Sequence, residues 1–370
     1  MTTTMMRVPV RCFAFLVLWG AVVVGPLAAQ AAARWYIATY SSHMLVWDEA
    51  SEEVVGRIEM RHRIPTTVVM NEKQDRLYVK EATERTIEVV DLERGEVVDE
   101  YTLSEGNVTV RIKSFAAHPS DERAALFVKR YTKHRDRYQV EGPFMLEYDL
   151  TTKAVTDTIP WPDGEQVENI DFKYSPDGET LYLFTDDIIA VDAETFEEVD
   201  RWQISDPLEP GLGRGSFGVS PGTYDEDGVV TSLYRMTDPA QNRRMMGIAR
   251  VRLSEKEVDF YTLGTSEPLT TFSVAPGGEK AFALYSEIGH YEFWEFDLVN
   301  RRVAQRVPFD GRPRMRLQVS ADGEKLYIFE AGNTIDIYDS SSFEYLRSVT
   351  FDEDMTYLGI AVIPRGGGMP

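Results

Sequence analysis

The sequence predicts an all-β chain folded as a seven-bladed β-propeller of four-stranded blades, and three observations carry that prediction. One unit of four short apolar runs separated by turn residues recurs along the chain, the signature of a propeller blade. An Asp ends the third run in six of seven copies: Asp48, Asp91, Asp149, Asp192, Asp297 and Asp339, with Arg252 in its place in the fifth. The chain also starts and stops in the middle of a unit, which a closed ring requires when one blade is shared between the two ends.

The clearest copy runs from Ser175-Pro176-Asp177-Gly178 through Leu181-Tyr182-Leu183-Phe184 and Ile188-Ile189-Ala190-Val191-Asp192 to Val199. Short alternating runs bounded by Pro, Asp and Gly read as strands and tight turns. The first turn recurs at Asn71, His118, Ser175, Ser220, Ala275 and Ser320, and in degenerate form at Ile363-Pro364. At the N-terminus the later strands of a blade come first (Trp35 to Tyr40, Met44 to Asp48, Val54 to Ile58), and at the C-terminus a lone first strand, Leu358 to Ile363, comes last. The C-terminal strand is therefore expected innermost, joined to three N-terminal strands, a closure that removes exposed sheet edges. Recurrent Tyr78, Tyr182, Tyr285, Tyr327, Trp47 and Trp294 sit at blade positions and read as packing between blades.

Ahead of the repeat, Arg7 and Arg11 precede an apolar run from Phe13, and small residues follow at Ala28, Ala29, Ala31, Ala32 and Ala33. This is the pattern of a secretory signal, with cleavage expected after Ala31 or Ala33. The run is shorter than the roughly 20 apolar residues of a membrane span and contains Pro26. The expected organisation is a signal peptide over 1–33, the propeller over 34–364 and a flexible tail over 365–370. The expected location is periplasmic or secreted, with no membrane attachment after cleavage.

The only cysteine, Cys12, lies in that signal, so the exported part has no disulfide and no thiol chemistry. A formal net charge of -22 repels phosphate backbones and argues against nucleic-acid binding. The same charge attracts a cationic ligand such as a primary amine, or serves solubility alone.

Irregular loops are where a propeller carries function. Within a blade, the second-to-third connection and the link to the next blade share one face. The third blade inserts Lys129 to Gly142 there, the fifth Arg235 to Arg244, the sixth Glu287 to Tyr291, and the link Asp206 to Gly215 joins them. Arg130, Lys133, Arg135, Arg137, Arg235, Arg243 and Arg244 thus gather on one rim of an acidic chain. Arg and Tyr are enriched at protein interfaces, so this rim is the candidate partner-binding surface; the alternative is solvated hairpin tips.

No catalytic set stands out. His43, His62, His118, His134 and His290 show no metal-ligand spacing, and no nucleophile elbow, Walker loop or dinucleotide fingerprint occurs in a fitting context. A lone His such as His118, before Pro119, reads as a surface or capping residue. No catalytic, metal or cofactor-binding residue is assigned, and a hydrolytic propeller lacks any visible metal or nucleophile set.

The Ser-Pro-Asp-Gly turn, the Leu-Tyr-Leu strand and the Val-Asp strand resemble YVTN-type propellers. The blade with the Lys129 to Gly142 insertion ahead of Phe144-Met145-Leu146-Glu147-Tyr148-Asp149, the insertion at Tyr234 to Arg244 and the run from Phe272 to Asp339 resemble the β chain of quinohemoprotein amine dehydrogenase, within the quinoprotein amine dehydrogenase propeller-chain family. That resemblance implies a periplasmic propeller subunit that helps enclose a primary-amine site. It implies a tryptophan-derived quinone and haem on partner subunits and no cofactor on this chain. Two functions follow as expectations: a non-catalytic or cavity-forming subunit of such a complex, or a free-standing propeller that binds a protein or small ligand without redox chemistry.

Overall fold

A computed structural model describes residues 32–207, 211, 213–217, 223 and 228–365, apart from the side chain of Asp163. Residues 1–31 of the expected signal, the turn at Ser220 and the glycines at Gly366 to Gly368 lie outside the described residues, whereas Ala32 and Ala33, which the expected signal also included, lie in a strand.

Seven antiparallel four-stranded sheets are present, each running in chain order from an innermost to an outermost strand. The exception is the sheet that closes the ring. There Ile360–Arg365 lies innermost against Ala32–Ala38, followed by His43–Asp48 and Glu53–Glu59. This is blade 1; blade 2 begins at Pro65, and blade 7 spans Arg316 to Thr350. The chain is a seven-bladed β-propeller. Closure begins slightly earlier and ends slightly later than the sequence predicts, because Ala32 pairs with Arg365 and Ala33 with Pro364. Arg365 therefore belongs to a strand and not to the tail.

The recurring turns have one geometry. The amide of the first turn residue donates to the carbonyl five residues on: Asn71 to Arg76 at 3.1 Å, His118 to Arg123 at 2.8 Å, and Ser175 to Thr180, Ala275 to Lys280 and Ser320 to Lys325 at 2.9 Å each. The side chain is selected by the return contact. Ser175 Oγ accepts from the Thr180 amide at 3.0 Å, Ser320 Oγ from the Lys325 amide at 2.8 Å, and Asn71 Oδ1 from the Arg76 amide at 2.9 Å. His118 is a structural bridge: it contacts Ser120 Oγ at 2.9 Å and the Gly178 carbonyl of the next blade at 3.1 Å. Gly178, at φ 78, has its α-carbon so close to that imidazole that a β-carbon there would meet His118 Nε2 at 2.3 Å.

The repeated Asp has an equally local cause. Its carboxylate accepts amides two and three residues ahead, as Asp192 does from Glu194 at 3.0 Å and Thr195 at 2.8 Å, and Asp339 from Ser341 at 3.0 Å and Ser342 at 2.8 Å. This short-range bonding is what Asp offers a turn. The chain then reverses through a left-handed residue four positions after the Asp, or after Arg252, in every blade: Glu52, Gly95, Lys153, Phe196, Lys256, Arg301 and Phe343, with φ between 54° and 67°. In the fifth blade Arg252 reaches Glu257 at 3.0 Å instead of capping the turn.

Blades adhere through apolar clusters between neighbouring sheets, built from the alternate side chains of the inner three strands. The seam between blades 7 and 1 holds Trp35, Trp47, Tyr327 and Phe329, all buried, with ring centroids 5.2 to 5.6 Å apart and near-perpendicular planes. Edge-to-face contact of this kind adds to the area buried. At other seams Tyr78 packs on Phe115 at 4.8 Å, and the Tyr182 hydroxyl donates to the Leu253 carbonyl at 3.3 Å.

Candidate functional site

The innermost strands surround a central cavity of about 1310 Å³, lined by residues of blades 1, 2, 4, 5, 6 and 7. The lining uses the beginnings of innermost strands (Thr66 to Val68, Leu269 to Ser273, Arg316 to Gln318) and the ends of second strands (Phe184 to Asp186, Phe329 to Glu330). Both lie toward the face that carries the second-to-third connections, so the cavity belongs to the same end of the ring as the inserted loops. Thr223 of blade 5, which also lines the cavity, donates to Gln318 of blade 7 at 3.3 Å.

The two long insertions are regular hairpins. In blade 3, Arg123–Lys133 pairs with Tyr138–Asp149, leaving only His134 to Arg137 as the turn. In blade 5, Val229–Asp238 pairs with Arg243–Arg252. The sequence reads these as loops because Lys, Arg and Asp dominate them; cross-strand pairing, continuous in blade 5 and interrupted in blade 3 only by a register shift between Glu141 and Phe144, makes them strands. They flank blade 4, whose corresponding connection, Thr185 to Asp187, is short.

The rim residues predicted from sequence are distributed over these hairpins. Arg130, Lys133, Arg135 and Arg137 lie on the blade 3 hairpin, exposed, with the Arg130 guanidinium 6.0 Å from the Phe144 ring and Arg137 3.5 Å from Asp136. Arg243 and Arg244 open the returning strand of the blade 5 hairpin, Arg243 being 3.1 Å from Asp238. Arg235 alone of the seven lines the central cavity, where its Nη2 donates to the Leu269 carbonyl at 3.3 Å.

Sequence reasoning missed the apolar residues of the same face. Tyr138 is 65% and Ile288 99% exposed, each on a hairpin at the second-to-third end, and Tyr40, Val140 and Tyr357 are exposed there too. Each is a single large residue among polar neighbours, so only the ring geometry assembles them.

Inside the cavity an acidic blade 4 wall faces a paired Arg and Glu of blade 7. Blade 4 contributes Glu168, Asp171 and Asp186. Lys129 of blade 3 meets Glu168 at 2.8 Å and holds its carboxyl below the usual range; Ser114 donates to Asp171 at 3.2 Å. Among the described residues the Asp186 carboxylate has no hydrogen-bond or ion-pair partner. Blade 7, three blades away and hence on the opposite wall, contributes Arg316 and Glu330, whose Nε and Oε2 lie 2.8 Å apart. Glu330 is 2% exposed, and its Oε2 accepts no aligned hydrogen bond despite that proximity. Burial pushes its carboxyl up to about 7, opposed by the Arg316 charge.

Solved structures with the same architecture include apo AztD from Citrobacter koseri, with 13% identity over 90% of this chain and 98% of that one and a TM-score of 0.56. A functionally unknown protein from Desulfotomaculum acetoxidans DSM 771 is similar at 12% identity, over 90% of this chain and 98% of that one, with a TM-score of 0.55. The shared feature is the fold. No protein-family model and no curated protein matches the chain.

Among the described residues no group of three His, Cys, Asp or Glu side chains is arranged to hold a metal. Each histidine instead has a local partner, such as His43 with Glu59 at 2.8 Å, His62 with Glu100 at 3.3 Å and His290 with Glu292 at 2.9 Å. The cavity offers charged and hydroxyl-rich walls, which suit the binding and orientation of a polar molecule.

Proposed function

We propose that the chain is an exported, non-catalytic propeller that holds a small polar ligand in its central cavity and docks a partner protein on the face around the cavity mouth. The observation that carries this is one of position: basic hairpins, exposed Tyr138, Ile288 and Tyr357, and the cavity all occupy the same end of the ring. Exposed aromatics beside arginines are the composition of an interface. A partner seated there covers the mouth and encloses whatever the cavity holds.

The partner named by the sequence resemblance is a quinone-bearing or haem-bearing chain of a periplasmic amine-oxidising complex. In that assignment the cofactors belong to the partners, and this propeller supplies the acidic wall of blade 4 to a cationic primary amine. The second reading is a free-standing binding propeller that holds its ligand in the same cavity without a redox partner.

Purifying the native protein from the exported fraction and recording its visible spectrum tests the assignment. Co-purification of a second chain with quinone or haem absorption is the expected result. A colourless chain that elutes alone overturns the subunit assignment, and ligand binding by that lone chain establishes the free-standing one.

A further inference from the structure

We propose that the central cavity selects a ligand bearing two opposite charges, an ammonium group held by the Asp186 and Asp171 wall of blade 4 and a carboxylate held by Arg316 of blade 7. This deepens the assignment of the cavity as a ligand site and rests on it.

The two walls face each other because blades 4 and 7 are as far apart around a seven-membered ring as two blades can be. Asp186 and Asp171 are exposed, and both line the cavity. Asp186 has no partner among the described residues, so an arriving ammonium displaces no protein contact there. On the other wall, Arg316 keeps a 60% exposed side chain although its Nε is drawn to Glu330. A guanidinium has five N–H donors, and engaging Nε leaves the two terminal nitrogens, the edge that grips a carboxylate in bidentate fashion.

Glu330 shows that this wall is built for binding. A carboxylate that is 98% buried would ordinarily accept several hydrogen bonds, because burial without them is costly. Here Glu330 lines the cavity and its buried Oε2 accepts none that is aligned, although Arg316 stands beside it. Its backbone, at φ 64, is left-handed in a residue other than glycine, a conformation of order 1–3 kcal/mol that persists when the surroundings demand it. Glu330 thus keeps a carboxyl 2.8 Å from Arg316 Nε at the cavity wall, and Arg316 is the group that meets the ligand. Arg235 is turned away from blade 4 by its contact with the Leu269 carbonyl of blade 6, so it does not neutralise the acidic wall.

The test titrates the purified full chain with ω-amino acids from glycine to 6-aminohexanoate, and with the alkylamine and alkylcarboxylate of each length, by calorimetry. The expected result is an ω-amino acid of one length bound at least tenfold more tightly than its matched amine, the factor a charged hydrogen-bonded contact confers. Arg316→Gln should reduce that ligand to the affinity of the amine and leave the amine unchanged. The double variant Arg316→Gln/Glu330→Gln, which leaves no buried unpaired charge, should behave as the single one and controls for folding. Amines binding as tightly as every ω-amino acid, unchanged affinity in Arg316→Gln, or no binding across the series overturns the inference. Amine binding without this selectivity leaves the cavity assignment standing, and the failure of all three probe classes removes both.

Discussion

Tyr327 of blade 7 donates its hydroxyl to the Glu49 carboxylate of blade 1 at 3.2 Å, across the seam where the two ends of the chain close the ring. Glu49 is buried and also accepts the amides of Ala33 at 2.8 Å and Ala321 at 3.0 Å, so one carboxylate ties the N-terminal strand of blade 1 to the first hairpin of blade 7. Burial raises its carboxyl and the three donors oppose that rise. Glu49→Ala strands two amides and a phenol and should lower stability by about 3 kcal/mol, whereas Tyr327→Phe, which removes one donor, should lower it by about 1 kcal/mol. Urea unfolding of both variants measures this, and equal effects would show that the carboxylate is not the shared anchor.

Glu330 makes stability depend on pH in a definite direction. Its folded carboxyl titrates near 7 against an unfolded value of 4.5. The folded state therefore holds the proton more tightly, and the stabilisation present below pH 4.5 is lost as pH rises through 7. Glu330→Gln removes the charge that must otherwise be buried. It should be more stable than the parent at pH 8.5 by on the order of 2 kcal/mol and equal to it near pH 4. A constant difference between the two pH values would assign the effect to packing.

The left-handed residue of each blade also has a chemical role. At four seams it is charged and reaches the outermost strand of the preceding blade: Lys153 to Asp99, Lys256 to Asp200 at 2.5 Å, Arg301 to Asp259 at 2.8 Å, and Glu52, with the signs reversed, to Arg347. Exposed pairs of this kind contribute about 0–1 kcal/mol each, less than the roughly 1 kcal/mol that the left-handed backbone costs a residue with a β-carbon. Lys256→Ala loses the pair and keeps the backbone cost; Lys256→Gly loses both. The glycine variant should be the more stable by about 1 kcal/mol in thermal or urea unfolding, and the reverse order would disprove a left-handed conformation there.

The hairpin face and the cavity should separate by mutation. Arg243→Glu together with Arg244→Glu places negative charge at the tip of the blade 5 hairpin and should weaken capture of the co-purifying partner at least tenfold, as loss of interface arginines does. Small-molecule binding in the cavity should be unaffected, since neither residue lines it. Unchanged capture would return these arginines to the role of solvated tips.

Much of the fold was legible because its causes are local. The Ser175 and Ser320 turns, the Asp192 and Asp339 caps and the alternating strand between them are each set within about five residues, so they repeat visibly in the sequence. Even the order of closure could be read, because a unit cut in two has only one way to be completed. The left-handed position was less legible: glycine marks it only at Gly95, and elsewhere Lys, Phe, Arg or Glu occupies it for contacts with another blade.

The sequence by itself determined the seven blades, the shared first blade, the face that bears the insertions and the absence of thiol chemistry outside the expected signal, since each depends on spacing or residue type alone. Only the tertiary structure decided which charges meet in the channel. Asp186 and Arg316 are 130 positions apart, and Glu330 resembles any surface glutamate in a turn until the ring buries it beside Arg316. Seven-fold closure sets blades 4 and 7 on opposite walls, and burial then gives those few carboxylates and guanidinium groups properties that a pattern of letters does not carry.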